Sequence, residues 1–138
     1  MSWIGIDFGA KRVGIAVSQS GSISTPLEVV DRGRGIDRVF EAIEAVATEY
    51  EAHTIIVGIP LGGRKAPSDN LLLYNEFADQ LRQRVDLEVI QWDEAYSTTE
   101  ASRLAKEAGH RRPPRGKIDS MAAAVILQSY LDSREEES

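Results

Sequence analysis

Residues 3–18, Trp-Ile-Gly-Ile-Asp-Phe-Gly-Ala-Lys-Arg-Val-Gly-Ile-Ala-Val-Ser, constrain the fold more than any other stretch of the chain. Strand alternation places Trp3, Gly5, Asp7 and Gly9 on one face, and Ile4, Ile6 and Phe8 on the other. After a tight turn from Gly9 to Arg12, the residues Val13, Ile15 and Val17 alternate with Gly14, Ala16 and Ser18. That pattern predicts a second strand folded straight back on the first as a hairpin. Each strand pairs a bulky face with a small one, so the small face leaves room beside Asp7 for a hydrated metal ion and a phosphate. An aspartate near a strand end is also a common turn former or hydrogen-bond partner, and Asp7 taken alone fits either role.

The rest of the chain supplies the frame for that hairpin. Residues 23–30 read as a third strand, and Pro26 within it predicts an edge position, because proline cannot donate to a ladder. From Ile36 the period becomes helical, with Ile36, Val39, Phe40, Ile43, Val46, Ala47 and Tyr50 on one buried stripe. Thr54 to Ile59 is a short apolar run closed by Pro60, the mark of a parallel strand buried on both faces. A loop over residues 61–68 leads to a helix near 69–84 with Leu73, Phe77 and Leu81 inward, then to a fifth strand from Leu87 to Trp92. Ser97-Thr98-Thr99-Glu100 fits a capping box, which predicts a helix over 98–108 ended by Gly109. A basic, proline-containing loop over 110–117 precedes a last helix over 118–131, and the acidic residues 132–138 read as a flexible tail. An antiparallel meander of three strands followed by two parallel strands with crossover helices is the succession of a ribonuclease H-like fold. The 138 residues suit one α/β domain over 1–138, which buries roughly 70% of its unfolded surface at this size.

Composition narrows the chemistry. With no cysteine, disulfides, thiolate zinc sites and cysteine nucleophiles are excluded, and two histidines are too few for a histidine-rich metal centre. Any metal ligands are therefore oxygens. Neither an apolar run of membrane-spanning length nor a charged-then-apolar leader is present, so a soluble, cytoplasmic protein with no membrane partner is expected. The net charge of −6 opposes coating of nucleic acid by overall charge. Yet Arg103, Lys106, Arg111, Arg112, Arg115 and Lys117 stand against the single Glu107. This strip is a candidate phosphate-binding surface or else a solvated loop.

Three acidic positions fall on separate elements: Asp7 on the first strand, Asp93-Glu94 at the end of the fifth, and Asp119 at the start of the last helix. Asp119 shares its helical face with Ala122, Ala123, Ile126 and Tyr130, the face expected to pack inward. Each has an ordinary alternative, an N-cap for Asp119 and a strand terminator for Asp93 or Glu94. Phosphodiester hydrolysis gives a reason to gather them, since oxygen ligands hold Mg²⁺ or Mn²⁺ and two such ions ~4 Å apart stabilise attacking and leaving oxygens. Converging carboxylates repel one another unless a cation compensates them. Alternation along the fifth strand puts Glu94 in series with Trp92 and Ile90 and puts Asp93 in series with Gln91 and Val89, so one member of the pair faces Asp7.

Gly5-Ile6-Asp7-Phe8-Gly9 with Arg12-Val13-Gly14-Ile15-Ala16, then Val57-Gly58-Ile59-Pro60-Leu61, Asp93-Glu94 with Ser97-Thr98, and Lys117-Ile118-Asp119 with Ala122-Ala123 and Leu127-Gln128 form an ordered set along nearly the whole chain. The set resembles the YqgF (RuvX) family. The resemblance implies a ribonuclease H-like fold, kinship with RuvC-type Holliday junction resolvases, and a role as a pre-16S rRNA processing nuclease. It implies Asp7, Glu94 and Asp119 as catalytic residues, with Asp93 beside them as a further metal ligand for Mg²⁺ or Mn²⁺. Nucleic-acid contacts are expected from Lys11, Arg12, Arg64, Lys65, Arg111, Arg112, Arg115 and Lys117. Two departures stand out. Ala95-Tyr96 follows the Asp-Glu pair where the family has arginine, and Gly62-Gly63-Arg64-Lys65 replaces the family's Asp-Gly, so Arg64 or Lys65 either restores a charge or belongs to a solvated loop.

Two other classes compete. The opening hairpin also resembles the phosphate-binding hairpin of sugar kinases, actin and Hsp70-type ATPases, but those need a second domain and a later glycine-rich adenosine motif. A non-catalytic RNA-binding factor in ribosome assembly would keep the fold without turnover. Structured RNA and branched DNA remain open as substrates, as do monomer and homodimer.

Overall fold

The computed structural model describes residues 2–9, 11–59, 68–93 and 115–137. Five strands, β1 (Ser2–Phe8), β2 (Arg12–Ser18), β3 (Thr25–Asp31), β4 (Ala52–Ile59) and β5 (Glu88–Asp93), form one sheet in the order β3-β2-β1-β4-β5. β1 pairs antiparallel with β2 and β2 with β3, whereas β4 is parallel to both β1 and β5. The hairpin, the edge position of the Pro26 strand and the two parallel strands are thus where the sequence predicts them, in the ribonuclease H-like arrangement. Three helices cover the sheet among the described residues: α1 (Ile36–Glu49), α2 (Ser68–Arg84) and α3 (Arg115–Glu137).

The bulky faces of the strands face α1 and α2. Ile4, Ile6, Val13, Ile15, Ile55 and Val57 are fully buried there with Val39 and Ile43 of α1, each contributing roughly 1.5–3 kcal/mol by burial. Phe77 of α2 stacks between Phe8, at 4.1 Å, and Phe40, at 5.4 Å. Two details depart from the helical stripes read in the sequence. Ile36 is 38% exposed and Leu73 is 50% exposed; Tyr74, edge-on to Phe8 at 5.7 Å, takes the inward place of Leu73. Arg84 ties the two helices through Glu44 at 2.8 Å and Asp37 at 3.2 Å, and the hydrogen bond to Glu44 raises its already high pKa.

The small faces of β1 and β2 receive α3. A Cβ on Gly5 would stand 2.6 Å from Leu127 Cβ and 2.8 Å from the Ala123 carbonyl oxygen, so the helix rests directly on the strand at a glycine. Ala123 and Leu127 are fully buried with Ala16 and Ile56. Farther along the helix, the Arg134 guanidinium lies 5.4 Å from the Trp3 ring. Because Ala123 and Leu127 meet Gly5 while Arg134 meets Trp3, α3 runs antiparallel to β1.

Both ends of α3 correct the sequence reading. The helix begins at Arg115, so Arg115, Gly116 and Lys117 belong to its first turn and not to the preceding loop, and it continues through Glu137 where a tail was expected from residue 132. Gly116 and the prolines before it read as loop, yet proline is compatible with the entry to a helix. The acidic end opposes the helix dipole, but local bonds hold it: Gln128 donates to Asp132 at 2.9 Å and Ser133 to the Tyr130 carbonyl at 2.8 Å, with Arg134 over the Tyr130 ring. Of the predicted loop over 61–68 only Ser68 is described, and it begins α2; the rest of that loop, the helix over 98–108 and most of the basic strip lie outside the described residues.

Candidate metal and nucleic-acid site

The pairing register places Asp7 in a row that crosses the whole sheet: Val29, Gly14, Asp7, Gly58, Trp92. Both immediate neighbours of Asp7 are therefore glycines, and the adjacent strands leave space on either side of it within the row. Asp7 is half-buried. The row lies on the α3 face, as Trp92 shows: its Nε1 donates to Ser129 Oγ at 3.2 Å and its ring meets Tyr130 edge-on at 5.4 Å.

Helix position 119 is brought to the same level. From Gly5 to Asp7 the strand advances about 6.7 Å, and from Ala123 back to Asp119 the antiparallel helix advances about 6 Å in the same direction. Since Gly5 is met by both Ala123 and Leu127, the helical turn from 119 to 123 falls at the height of Asp7. Asp119 is the fifth residue of α3, so the N-cap alternative does not hold.

Position 93 falls differently. Asp93 is within β5 and pairs with Ile59, in series with Val89, which is buried beneath α1 and α2, and with Gln91, which donates to Asn75 of α2 at 2.7 Å. Its register position thus belongs to the face opposite Asp7. Glu94 lies outside the described residues, as do Arg64, Lys65, Arg111 and Arg112. Among the described residues no group of three His, Asp or Glu side chains gathers; Asp7 is the one acidic candidate whose side chain is described.

Of the basic candidates, Lys11 is exposed at the hairpin turn and Arg12 is half-buried. Arg12 lies two residues before Gly14 and pairs with Asp31, hence on the face of Asp7, two rows farther out. Arg115 and Lys117 occupy the end of α3 directed toward the Asp7 row.

The turn after Asp7 is tightly specified. Gly9 N–H donates to the Asp7 carbonyl at 3.1 Å and to the Arg12 carbonyl at 3.0 Å, and a Cβ at Gly9 would stand 2.5 Å from that Arg12 oxygen, which only glycine avoids. Arg32 holds the same turn from the α1 side. It belongs to a short 3₁₀ turn, Arg32–Arg34, following β3, and sequence pattern carries no sign of its contact with residues more than twenty positions away.

A family profile described as "RuvX: Holliday junction resolvase" matches residues 1–133. A Geobacillus thermodenitrificans protein named "Putative pre-16S rRNA nuclease" is 42% identical over 97% of this chain and 99% of its own. The structure of Thermus thermophilus RuvC covers 99% of this chain and 97% of its own with a TM-score of 0.64 at 16% identity. The same protein in complex with a Holliday junction substrate gives 0.61 at 18% identity, over 98% and 96% of the two chains. At these identities the likeness is one of fold, and it agrees with the ribonuclease H-like sheet.

Proposed function

We propose, on the premise that this chain belongs to the RuvX family, that it is a divalent-metal-dependent nuclease that hydrolyses phosphodiester bonds in precursor ribosomal RNA, in the maturation of the 5′ end of 16S rRNA. The observation that carries the reading is the placement of Asp7 between Gly14 and Gly58, with the helical turn from 119 to 123 at its level. A half-buried carboxylate flanked in its row by two glycines suits a hard, oxygen-liganded cation. Asp7, Glu94 and Asp119 would hold Mg²⁺ or Mn²⁺, with Asp93 acting from the far side of the strand through a neighbour or a water. Ions bound there supply Lewis-acid stabilisation of the phosphoryl oxygens and a water of lowered pKa.

The chain's own residues position the substrate. Arg12 on the Asp7 face and Lys11 at the turn are placed to take backbone phosphates next to the scissile one. Arg115 and Lys117 extend that cationic rim along α3, and Arg64, Lys65, Arg111 and Arg112 add to it. Phosphate contacts of this kind orient a substrate without reading its bases. No described helix is long and apolar enough to cross a membrane, and access to ribosomal precursors would call for a cytoplasmic location. One protomer suffices to trim an RNA end, whereas a four-way junction calls for a two-fold dimer.

Purified protein is incubated with labelled precursor ribosomal RNA and, separately, a labelled four-way DNA junction, in Mn²⁺ or in EDTA. RNA cleavage in Mn²⁺ and none in EDTA is the expected result. Asp7→Asn keeps the fold and lowers cleavage at least ~100-fold, since even residues that merely support a metal ligand cost 10–100-fold. Junction cleavage alone would assign the resolvase activity, and binding without cleavage would assign a non-catalytic assembly factor. Full cleavage by Asp7→Asn would remove the carboxylate site.

A further inference from the structure

We propose that Arg32 is a positioning residue that fixes the turn following Asp7 and thereby holds the Asp7 carboxylate in place for metal. Three interactions converge on that turn from one residue. The Arg32 guanidinium donates to the Gly9 carbonyl at 2.8 Å, lies 4.2 Å from the centroid of the Phe8 ring, and its backbone N–H donates to the Lys11 carbonyl at 2.9 Å. Residues 8, 9 and 11 are thus engaged by one arginine. Planarity suits it to both side-chain roles, because a guanidinium stacks on an aromatic face while its edge donates hydrogen bonds.

Arg32 is itself held. Asp31 Oδ1 accepts from Gly33 N–H at 2.8 Å, capping the 3₁₀ turn, and Asp31 pairs with Arg12 at the end of the β2–β3 ladder. Phe8 is anchored in turn by its stack on Phe77. The path from Arg32 to Asp7 is short: Gly9, whose carbonyl Arg32 binds, donates its N–H to the Asp7 carbonyl at 3.1 Å. Loss of the Arg32 side chain frees the Gly9 carbonyl and uncovers one face of Phe8, so the segment carrying Asp7 gains freedom at its C-terminal side. Arg32 lies on the α1 side of the turn and acts through the backbone, not by touching substrate.

The inference rests on the metal-dependent nuclease reading, and the experiment separates the two. Arg32→Ala and Arg32→Lys are compared with the wild-type chain by Mn²⁺-dependent cleavage, by the Mn²⁺ concentration giving half of the metal-induced rise in Tm, and by amide hydrogen exchange at Gly9. In Arg32→Ala, kcat falls about tenfold with KM unchanged, a fraction of the roughly hundredfold loss a 1 Å misplacement can cause. The Mn²⁺ midpoint rises and Gly9 exchange accelerates. Arg32→Lys, which keeps a donor and a cation but not the planar stack, recovers about half of each logarithmic change; if Arg32→Ala does not fold, this variant carries the comparison. A wild-type Mn²⁺ midpoint, kcat and Gly9 exchange in a variant whose Tm has dropped would make Arg32 a merely structural residue and overturn the proposal. A wild-type chain that neither cleaves nor gains stability with Mn²⁺ would overturn the nuclease reading instead, and Gly9 exchange would still decide whether Arg32 holds the turn.

Discussion

At the scale of single residues, the pair Asp93 and Glu94 shows how much hangs on strand parity. Asp93 pairs with Ile59 and belongs to the face of α1 and α2, opposite the row in which Asp7 stands between two glycines. Strand alternation read from the sequence gives Glu94 the opposite parity, and the proposed site takes Glu94 as the ligand. Glu94→Gln is expected to abolish the Mn²⁺-induced rise in Tm, whereas Asp93→Asn retains part of it. A cation binding only the folded state adds about 2.7 kcal/mol at a hundred times its dissociation constant, a shift of several degrees that thermal melts in a Mn²⁺ titration resolve. Loss of the shift in Asp93→Asn with retention in Glu94→Gln would reverse the assignment.

At the scale of elements, the packing of α3 on β1 sets the height of residue 119 over Asp7. Its closest approach is at Gly5, where a methyl group would overlap Leu127 Cβ and the Ala123 carbonyl. Neither of those atoms is the free end of a flexible side chain, so the helix itself must move. Gly5→Ala is expected to cost about 1–3 kcal/mol by overpacking, seen as a drop of several degrees in Tm, and to lower cleavage by tilting residue 119 away from Asp7. An unchanged Tm would show that α3 can lift off β1 without loss. The extent of α3 itself was only partly legible: glycine and acidic residues at its ends argue against helix locally, while Gln128, Ser133 and Arg134 hold the final turns through Asp132, Tyr130 and Trp3.

At the scale of the whole molecule, a chain of net charge −6 must bind a polyanion through a local surface. Arg115 and Lys117 open α3 at the end directed toward the Asp7 row, so these two positions and Asp7 share one end of the sheet. Replacing Arg111, Arg112 and Arg115 together by alanine is expected to weaken RNA binding equally for all sequences. The slope of log affinity against log salt flattens by roughly 0.7–0.9 for each phosphate that is no longer neutralised, and fluorescence anisotropy across a salt series measures it. An unchanged slope would make the strip a solvated loop.

The sequence by itself determined the hairpin, the edge strand at Pro26, the parallel strands and the two opposite faces of β1, because these follow from the two-residue period of strands and from what proline and glycine permit. It also carried Asp7 and Asp119 as candidates, through ordered motifs. Tertiary structure alone decided that Gly14 and Gly58 flank Asp7, since pairing register depends on strands far apart in the chain. It decided that Asp119 lies inside a helix, at its fifth position, in the turn that comes to the level of Asp7. It alone revealed Arg32, whose interactions with Phe8 and Gly9 arise from the return of the chain past its own first turn. Periodicity records which face a residue occupies, but not which distant backbone will come to rest against it.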